Sequence, residues 1–257
     1  MVTASAPLAG EVLEFLKLAF CCPILEAYGL SETSGAATFT KSEDPISGTV
    51  GGPLEHCAIR LKDLPEMDYR ITDPNPRGEI CIRSPCVTSG YFMRPDKTTE
   101  TIDAQGYLNT GDVGEVYSNG TIRIIDRSKN IFKLSQGEYV APEKIENVYI
   151  QSNYIAQCFI YGDSFKNYCV AVIVPEVDKM REWATQAGID VQAIFDEQNA
   201  DFKALIMTEI EEFSRLRKLN SLEKPREIYL AQEAFSVDND LLTPTFKLKR
   251  NVGKKVF

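Results

Sequence analysis

Three side chains set the chemistry that this chain could do: the Asp112 carboxylate in Thr110-Gly111-Asp112, the Arg127 guanidinium in Asp126-Arg127, and the Lys247 ammonium in LLTPTFKLKR, residues 241–250. A carboxylate on a tight Thr-Gly-Asp turn can accept two hydrogen bonds from a vicinal diol, the pairing a ribose offers, and an arginine one strand away suits phosphate oxygens. Residues 107–149 therefore read as a nucleotide site around which the chain is organised. Upstream, Gly29-Leu30-Ser31-Glu32-Thr33-Ser34-Gly35 supplies a second set. Glu32 is a hard oxygen donor suited to Mg2+, Ser31 and Thr33 can hydrogen-bond phosphate oxygens, and Tyr28 can lay its ring on a base. Taken singly, each stretch has a plainer reading. Thr-Gly-Asp is a turn, residues 29–35 are a polar surface loop with Tyr28 filling the core, and Lys247 with Lys249, Arg250, Lys254 and Lys255 is a solvated basic tail.

The elements that must hold these groups follow from periodicity. Residues 1–10 are rich in small residues and read as loop. Val12, Leu13, Phe15, Leu16, Leu18, Ala19 and Phe20 cover more than one face of a helix over 11–20, which implies packing against a sheet. Pro23 ends it, and Ile24 to Tyr28 reads as a short buried strand. Helix, strand, then a glycine- and hydroxyl-rich loop is the order found at the carboxyl end of a parallel α/β sheet, where ligands collect. From Gly48 to Ile125 the pattern alternates (AIRL at 58–61, GEICIR at 78–83, TIRII at 121–125) and predicts an antiparallel region closing into a small barrel. A helix starts near Pro95 with Asp96 as its N-cap. Ser128-Lys129-Asn130 marks a boundary between domains 1–127 and 128–257. The second is a smaller α+β domain: a hairpin turn at Gln136-Gly137-Glu138, a helix opening at Ala141-Pro142, strands at 157–161 and 169–174, helices at 177–187, 191–197 and 201–219, and a strand-like piece at 229–235.

Bulk composition excludes several classes of function. With 257 residues and 44% hydrophobic content the chain can build a core, and a net charge of -9 argues against general nucleic-acid binding. Its seven cysteines lack CxxC spacing and predict free, mostly buried thiols in a reducing compartment. A single histidine, His56, reads as structural and makes a His-rich zinc site untenable. No run of eighteen apolar residues occurs and the first residues lack a signal-peptide pattern.

Together the stretches resemble the adenylate-forming superfamily, and within it the long-chain fatty acyl-CoA synthetases. They occur in that family's order: Thr3-Ala4-Ser5-Ala6-Pro7-Leu8, Tyr28 to Thr33, Tyr107 to Asp112, Ile125 to Lys129, Lys133 to Glu146, and Thr243 to Arg250. The resemblance implies an enzyme that uses MgATP to convert a long-chain fatty acid to acyl-AMP and pyrophosphate, then passes the acyl group to coenzyme A with release of AMP. It implies that Ala4-Ser5-Ala6 and Glu26-Ala27-Tyr28 wall the adenine with Tyr28 stacking, that Ser31 meets the α-phosphate, that Gly29 and Thr33 also belong to the nucleotide site, and that Glu32 holds Mg2+. Asp112 would bind the ribose hydroxyls, Arg127 ribose or phosphate, and Lys247 the carboxylate and α-phosphate together. Lys129 falls at the family's hinge and Gly137 on the loop that lines its thiol channel. The fold implied is the end of a large α/β domain with a β-barrel, followed by a mobile α+β lid. Two departures stand out. Ser128 replaces a second basic hinge residue, a change expected to be tolerated. The family's phosphate-cradling loop and acyl tunnel lie upstream of these motifs, so the chain reads as the C-terminal half of such an enzyme and is expected to be inactive alone. Other expectations are an intracellular protein, cytoplasmic or peripherally attached to an internal membrane, with no nucleic-acid partner. Alternative readings are an adenylate-forming ligase with another acid or a carrier-protein acceptor, and a non-catalytic interaction module that keeps the fold.

Overall fold

A computed structural model describes residues 1–257 except Pro7, Ala9, Pro45, Ile46 and Glu197. Expectations that touch Pro7 or Glu197 lie outside the described residues. The chain divides into two compact units, Met1–Lys129 and Asn130–Phe257.

The first unit opens with a strand where small residues predict a loop. β1 (Val2–Ala4) runs parallel to β2 (Leu25–Leu30) with helix α1 (Gly10–Phe20) between them, and β3 (Gly35–Phe39) and β4 (Gly52–Pro53) extend the sheet antiparallel in the order β1-β2-β3-β4. Pairing with β2 across twenty-odd residues makes β1 a strand, a long-range effect that local composition does not carry. α1 buries Leu13 but leaves Phe15 and Leu18 exposed at 66% and 78%, so its second apolar stripe meets no sheet among the described residues.

A second, antiparallel sheet follows: β5 (Ala58–Lys62), β6 (Arg77–Arg83), β7 (Leu108–Val116) and β8 (Ile122–Arg127), with α2 (Pro95–Thr101) between β6 and β7. Its alternating residues turn Ile80, Ile82 and Ile122 onto Ala37 of the first sheet. The expected barrel closure is not found among the described residues. Four short strands are too few to close on themselves, and the outer edge of β8 is instead bonded by residues 50–51 (Val50 N to Ile122 O 2.8 Å, Ile122 N to Gly51 O 2.9 Å). Nor is Asp96 the N-cap of α2. Arg94 holds that position, Pro95 opens the helix, and the Asp96 carboxylate pairs with Arg94.

The second unit begins with a hairpin, β9 (Phe132–Lys133) and β10 (Tyr139–Val140), then α3 (Pro142–Tyr149), β11 (Ile155–Tyr161), β12 (Cys169–Pro175), α4 (Val177–Ala187), α5 (Val191–Asp196), α6 (Ala200–Leu216), β13 (Pro225–Leu230) and α7 (Arg250–Val256). β12 is central in the order β11-β12-β13, antiparallel to β11 and parallel to β13. Alternation splits the strands between two cores. Cys158, Ile160, Ala171 and Ile173 face the helices with Ile145, Phe202 and Ile206, while Phe159, Val172 and Val174 face Phe235, Leu241 and Leu242. The C-terminal run is therefore a layer of the fold and not a solvated tail.

Of the seven cysteines, all free, Cys81, Cys158 and Cys169 are buried, Cys22 and Cys57 are half-buried, and Cys21 and Cys86 are exposed, fewer buried thiols than the sequence suggests. His56 is exposed. No described helix is long and apolar enough to cross a membrane.

Candidate functional site

In the first unit three predicted residues meet at one carboxylate. Asp112 lies within β7, not on a free turn, opposite Arg127 in the β7-β8 register. A bulge re-aims it: β7 slips against β6 beside Thr110-Gly111-Asp112, and the slip is stapled by Thr110 Oγ1, which donates to the Ile80 carbonyl (2.7 Å) and accepts from the Asp112 N–H (3.0 Å). Asp112 is 8% exposed. One carboxylate oxygen accepts from the Tyr28 hydroxyl (2.8 Å) and the other from Arg127 Nε (3.1 Å). Each oxygen keeps a further lone pair for a diol, and the Arg127 side chain is more than half exposed, with donors left for an anion. Burial, and then the Asp112 charge, push the Tyr28 phenol well up, so it stays a neutral donor.

The parallel pairing of β1 and β2 sets Ala4 beside Ala27 and Thr3 beside Glu26, which brings the two predicted adenine walls side by side; Ser5 and Ala6 follow directly. Glu26 is 7% exposed and lines a cleft of about 290 Å³ together with Leu13, Lys17, Ile24 and Thr40. Burial pushes its carboxyl up to about 6, partly offset by Lys17. Gly29 has a packing reason: a Cβ there would stand 1.9 Å from the Gly35 carbonyl oxygen, where β2 folds back into β3.

Ser31, Glu32 and Thr33 form a 3-10 turn after β2. Ser31 is exposed, as a phosphate contact requires. Thr33 is 2% exposed, and its hydroxyl is taken up by the Leu30 N–H (2.9 Å) and the Gly35 carbonyl (2.6 Å), which makes it a staple of the turn. Glu32 is half-buried, and its carboxylate accepts from the Tyr91 hydroxyl (2.8 Å). No spacing signal pointed to Tyr91. Among the described residues no group of three His, Cys, Asp or Glu side chains could hold a metal ion. Glu32 alone fits a Mg2+ ion that takes its remaining ligands from substrate phosphates and water.

The second unit carries the other two predicted groups on separate turns. Gly137, at φ +97°, tips the β9-β10 hairpin, which is tied to the β11-β12 loop by Ser135 N to Lys166 O (2.9 Å) and Gln136 Nε2 to Asn167 O (3.3 Å). Lys247 is exposed on a turn closed by Thr243 N to Lys247 O (2.8 Å). Lys129 is exposed at the end of the first unit. Sequence reading also missed a buried ion pair, Glu146 with Arg250. A glutamate among Ile145, Val148 and Tyr149 was the available signal, since a buried carboxylate needs a partner.

The AMP-binding enzyme family matches residues 1–92. The chain is 43% identical over 261 residues to long chain acyl-CoA synthetase 6, peroxisomal, of Arabidopsis thaliana, and 44% identical over 257 residues to human long-chain-fatty-acid--CoA ligase 6. Each match covers 100% of this chain and 37% of the relative, so the chain spans a little over a third of the length of these curated relatives. Among solved structures it is similar to the adenylation domain of a carboxylate reductase from Mycobacterium chelonae (TM-score 0.85, 32% identity, 99% of this chain and 36% of that one). The corresponding domain from Segniliparus rugosus, solved with AMP and a co-purified carboxylic acid, gives a TM-score of 0.84 at 29% identity over 99% of this chain and 37% of that one. The match to the AMP-binding enzyme family thus covers the first part of the chain, and over its whole length the chain is similar to part of these synthetases and adenylation domains.

Proposed function

We propose that this chain is the C-terminal portion of an AMP-forming long-chain fatty acid:CoA ligase. The first unit would be the end of the nucleotide-binding domain and the second the lid, joined near Lys129. The observation that carries the reading is the Tyr28-Asp112-Arg127 cluster: a nearly buried carboxylate held by a phenol and a guanidinium, with lone pairs and N–H donors left over for a ribose and its phosphate. Ala4 to Ala6 and Glu26 to Gly29 would wall the adenine, Ser31 would meet the α-phosphate, and Thr33 would shape the turn. Mg2+, when bound through Glu32 and the phosphates, neutralises phosphoryl charge.

In the first half-reaction a carboxylate oxygen of the fatty acid attacks the α-phosphorus and the bond to pyrophosphate breaks. Lys247, a compact point charge, would lie between the two anions and offset the charge gathering on the phosphoryl oxygens. In the second, the coenzyme A sulfur attacks the acyl carbonyl, AMP leaves with the C–O bond pair, and the thiol proton goes to solvent. Gly137, without a side chain, would let the pantetheine arm pass. An intracellular, reducing setting agrees with the free thiols.

In the longer protein that carries this stretch, Lys247→Ala is expected to lower adenylation by about 10²- to 10³-fold while acyl-CoA formation from supplied acyl-AMP proceeds. Pyrophosphate exchange equal to wild type would remove the role given to Lys247. A carrier-protein thiol in place of coenzyme A is the second reading, favoured by the likeness to carboxylate reductase adenylation domains. The 43% identity to a synthetase against 32% to a reductase ranks it lower, and an acceptor screen separates the two.

A further inference from the structure

We propose that Arg250 is a positioning residue for adenylation: its buried fork onto Glu146 fixes the turn that presents Lys247, and it has no part in thioester formation. The proposal rests on the role given to Lys247 above.

Among the described residues the Lys247 turn is held from its base. Leu242 and Leu248 face one another as an isolated antiparallel bridge, Thr243 N donates to the Lys247 carbonyl, and Lys247 N donates to Thr243 Oγ1 (3.0 Å). Phe246, at φ +58°, completes a tight reversal, while residues 244–247 are exposed, so no core packs around the tip. At the base, Leu241 and Leu242 are buried against Phe159 and Phe235, and Lys249 N donates to the Leu241 carbonyl (2.8 Å).

One residue further, Arg250 reaches back 104 positions in sequence. Its Nη1 and Nη2 donate to Glu146 Oε1 (2.9 Å) and Oε2 (2.5 Å), and Glu146 Oε1 also accepts from the Ile160 N–H (2.8 Å). The two side chains are 14% and 10% exposed. The carboxylate is thus anchored to α3 and to the C-terminal end of β11, and a two-pronged guanidinium fixes both the distance and the angle of the strap that follows Lys247. A single ammonium would fix the distance only. Replacing a buried pair of this kind with apolar residues is often neutral for stability, so geometric specification is the better account of it.

Two other cations of the strap are also engaged. Lys249 Nζ pairs with Asp240, and Lys254 lies over the Tyr161 ring at 5.1 Å. The Lys247 ammonium makes no hydrogen bond or ion pair among the described residues, which leaves it for a ligand. The Gly137 hairpin is secured elsewhere, by residues 166–167. A loosened strap should therefore disturb one half-reaction and spare the other.

The test uses the longer protein that carries this stretch, with Arg250→Gln, Arg250→Lys, Glu146→Gln and the reversed pair Glu146→Arg with Arg250→Glu. Adenylation is read as ATP-pyrophosphate exchange, and thioester formation from supplied acyl-AMP and coenzyme A. Because a misplacement of about 1 Å can cost roughly 10²-fold, Arg250→Gln is expected to lower the exchange kcat by that order with little change in the KM for ATP. Thioester formation should stay within about twofold of wild type, an effect too small to reflect lost transition-state contacts. Arg250→Lys should fall between, and the reversed pair should recover part of the loss. Proportional loss of both half-reactions, or unchanged exchange, overturns the proposal. If Arg250→Gln does not fold, hydrogen exchange on Arg250→Lys decides: faster exchange at Thr243 and Lys247 with an unchanged Gly137 turn supports it, and unchanged exchange throughout overturns it. Lys247→Ala run alongside separates the two ideas, since retained exchange there removes the Lys247 role whatever Arg250 does.

Discussion

Burial leaves Glu26 7% exposed, with no hydrogen-bond partner for its carboxylate among the described residues, on a strand where an apolar side chain would pack. A chain that keeps such a group accepts a stability cost where function requires the group. Folded, the carboxyl releases its proton near pH 6; unfolded, near 4.5. Between these values the folded chain binds more protons, so the group favours folding below pH 4.5 and that contribution is lost as the pH rises through 6. The gap corresponds to about 2 kcal/mol. Glu26→Gln is therefore expected to stabilise the 257-residue chain at pH 8 by up to about that amount, and to change little well below pH 4.5, near pH 3, where the carboxyl is neutral in the folded and the unfolded chain alike. Urea unfolding at the two pH values measures this. An equal effect at both, or destabilisation at pH 8, would show that burial is not what raises the carboxyl.

At the scale of elements, the fold-back from β2 through the 3-10 turn into β3 places Tyr28, Ser31 and Glu32, and it depends on two chains of backbone passing unusually close. A methyl at Gly29 would overlap the Gly35 carbonyl carbon at 2.8 Å as well as its oxygen, and neither atom can swing aside as a side chain would. Gly29→Ala should destabilise by about 1–3 kcal/mol, the range for overpacking. At Gly120, where a Cβ meets open space at φ +82°, only the strain of the left-handed backbone remains, and alanine should cost about 1 kcal/mol. Unfolding midpoints that do not separate the two variants would count against the close approach. Such elements were legible where local signals set them. Val177–Ala187 has the predicted ends because helical periodicity runs into Gly188, which closes the helix in the left-handed region. Pro142 likewise opens α3 where expected. Distant pairing hid the rest. β13 runs Pro225–Leu230 and not 229–235, because its register comes from β12. Asp112 reads as a turn because its bulge exists only between two partner strands, and the Glu146-Arg250 pair spans 104 residues that no local pattern connects.

For the molecule as a whole, the groups legible in sequence fall in two units. The Tyr28-Asp112-Arg127 cluster and Glu32 belong to the first, and Gly137 and Lys247 to the second. Yet the chain spans only 37% of the length of the synthetases it matches, and the phosphate-cradling loop and acyl tunnel expected of the family are not among its motifs. On α1, Phe15, Leu18 and Phe20 stay largely exposed although its apolar residues cover more than one face. If the groups that hold the triphosphate and the acyl chain belong to the remaining length of such relatives, a reaction that depends on positioning both anions does not run on this chain alone. The 257-residue chain, given Mg2+, ATP, coenzyme A and oleate, is therefore expected to release no AMP above a protein-free control, and Leu18→Glu, at a side chain 78% exposed, should leave its unfolding midpoint unchanged. AMP released by the purified chain in proportion to its concentration, and lost on Lys247→Ala, would mean that these two units contain the whole catalytic apparatus.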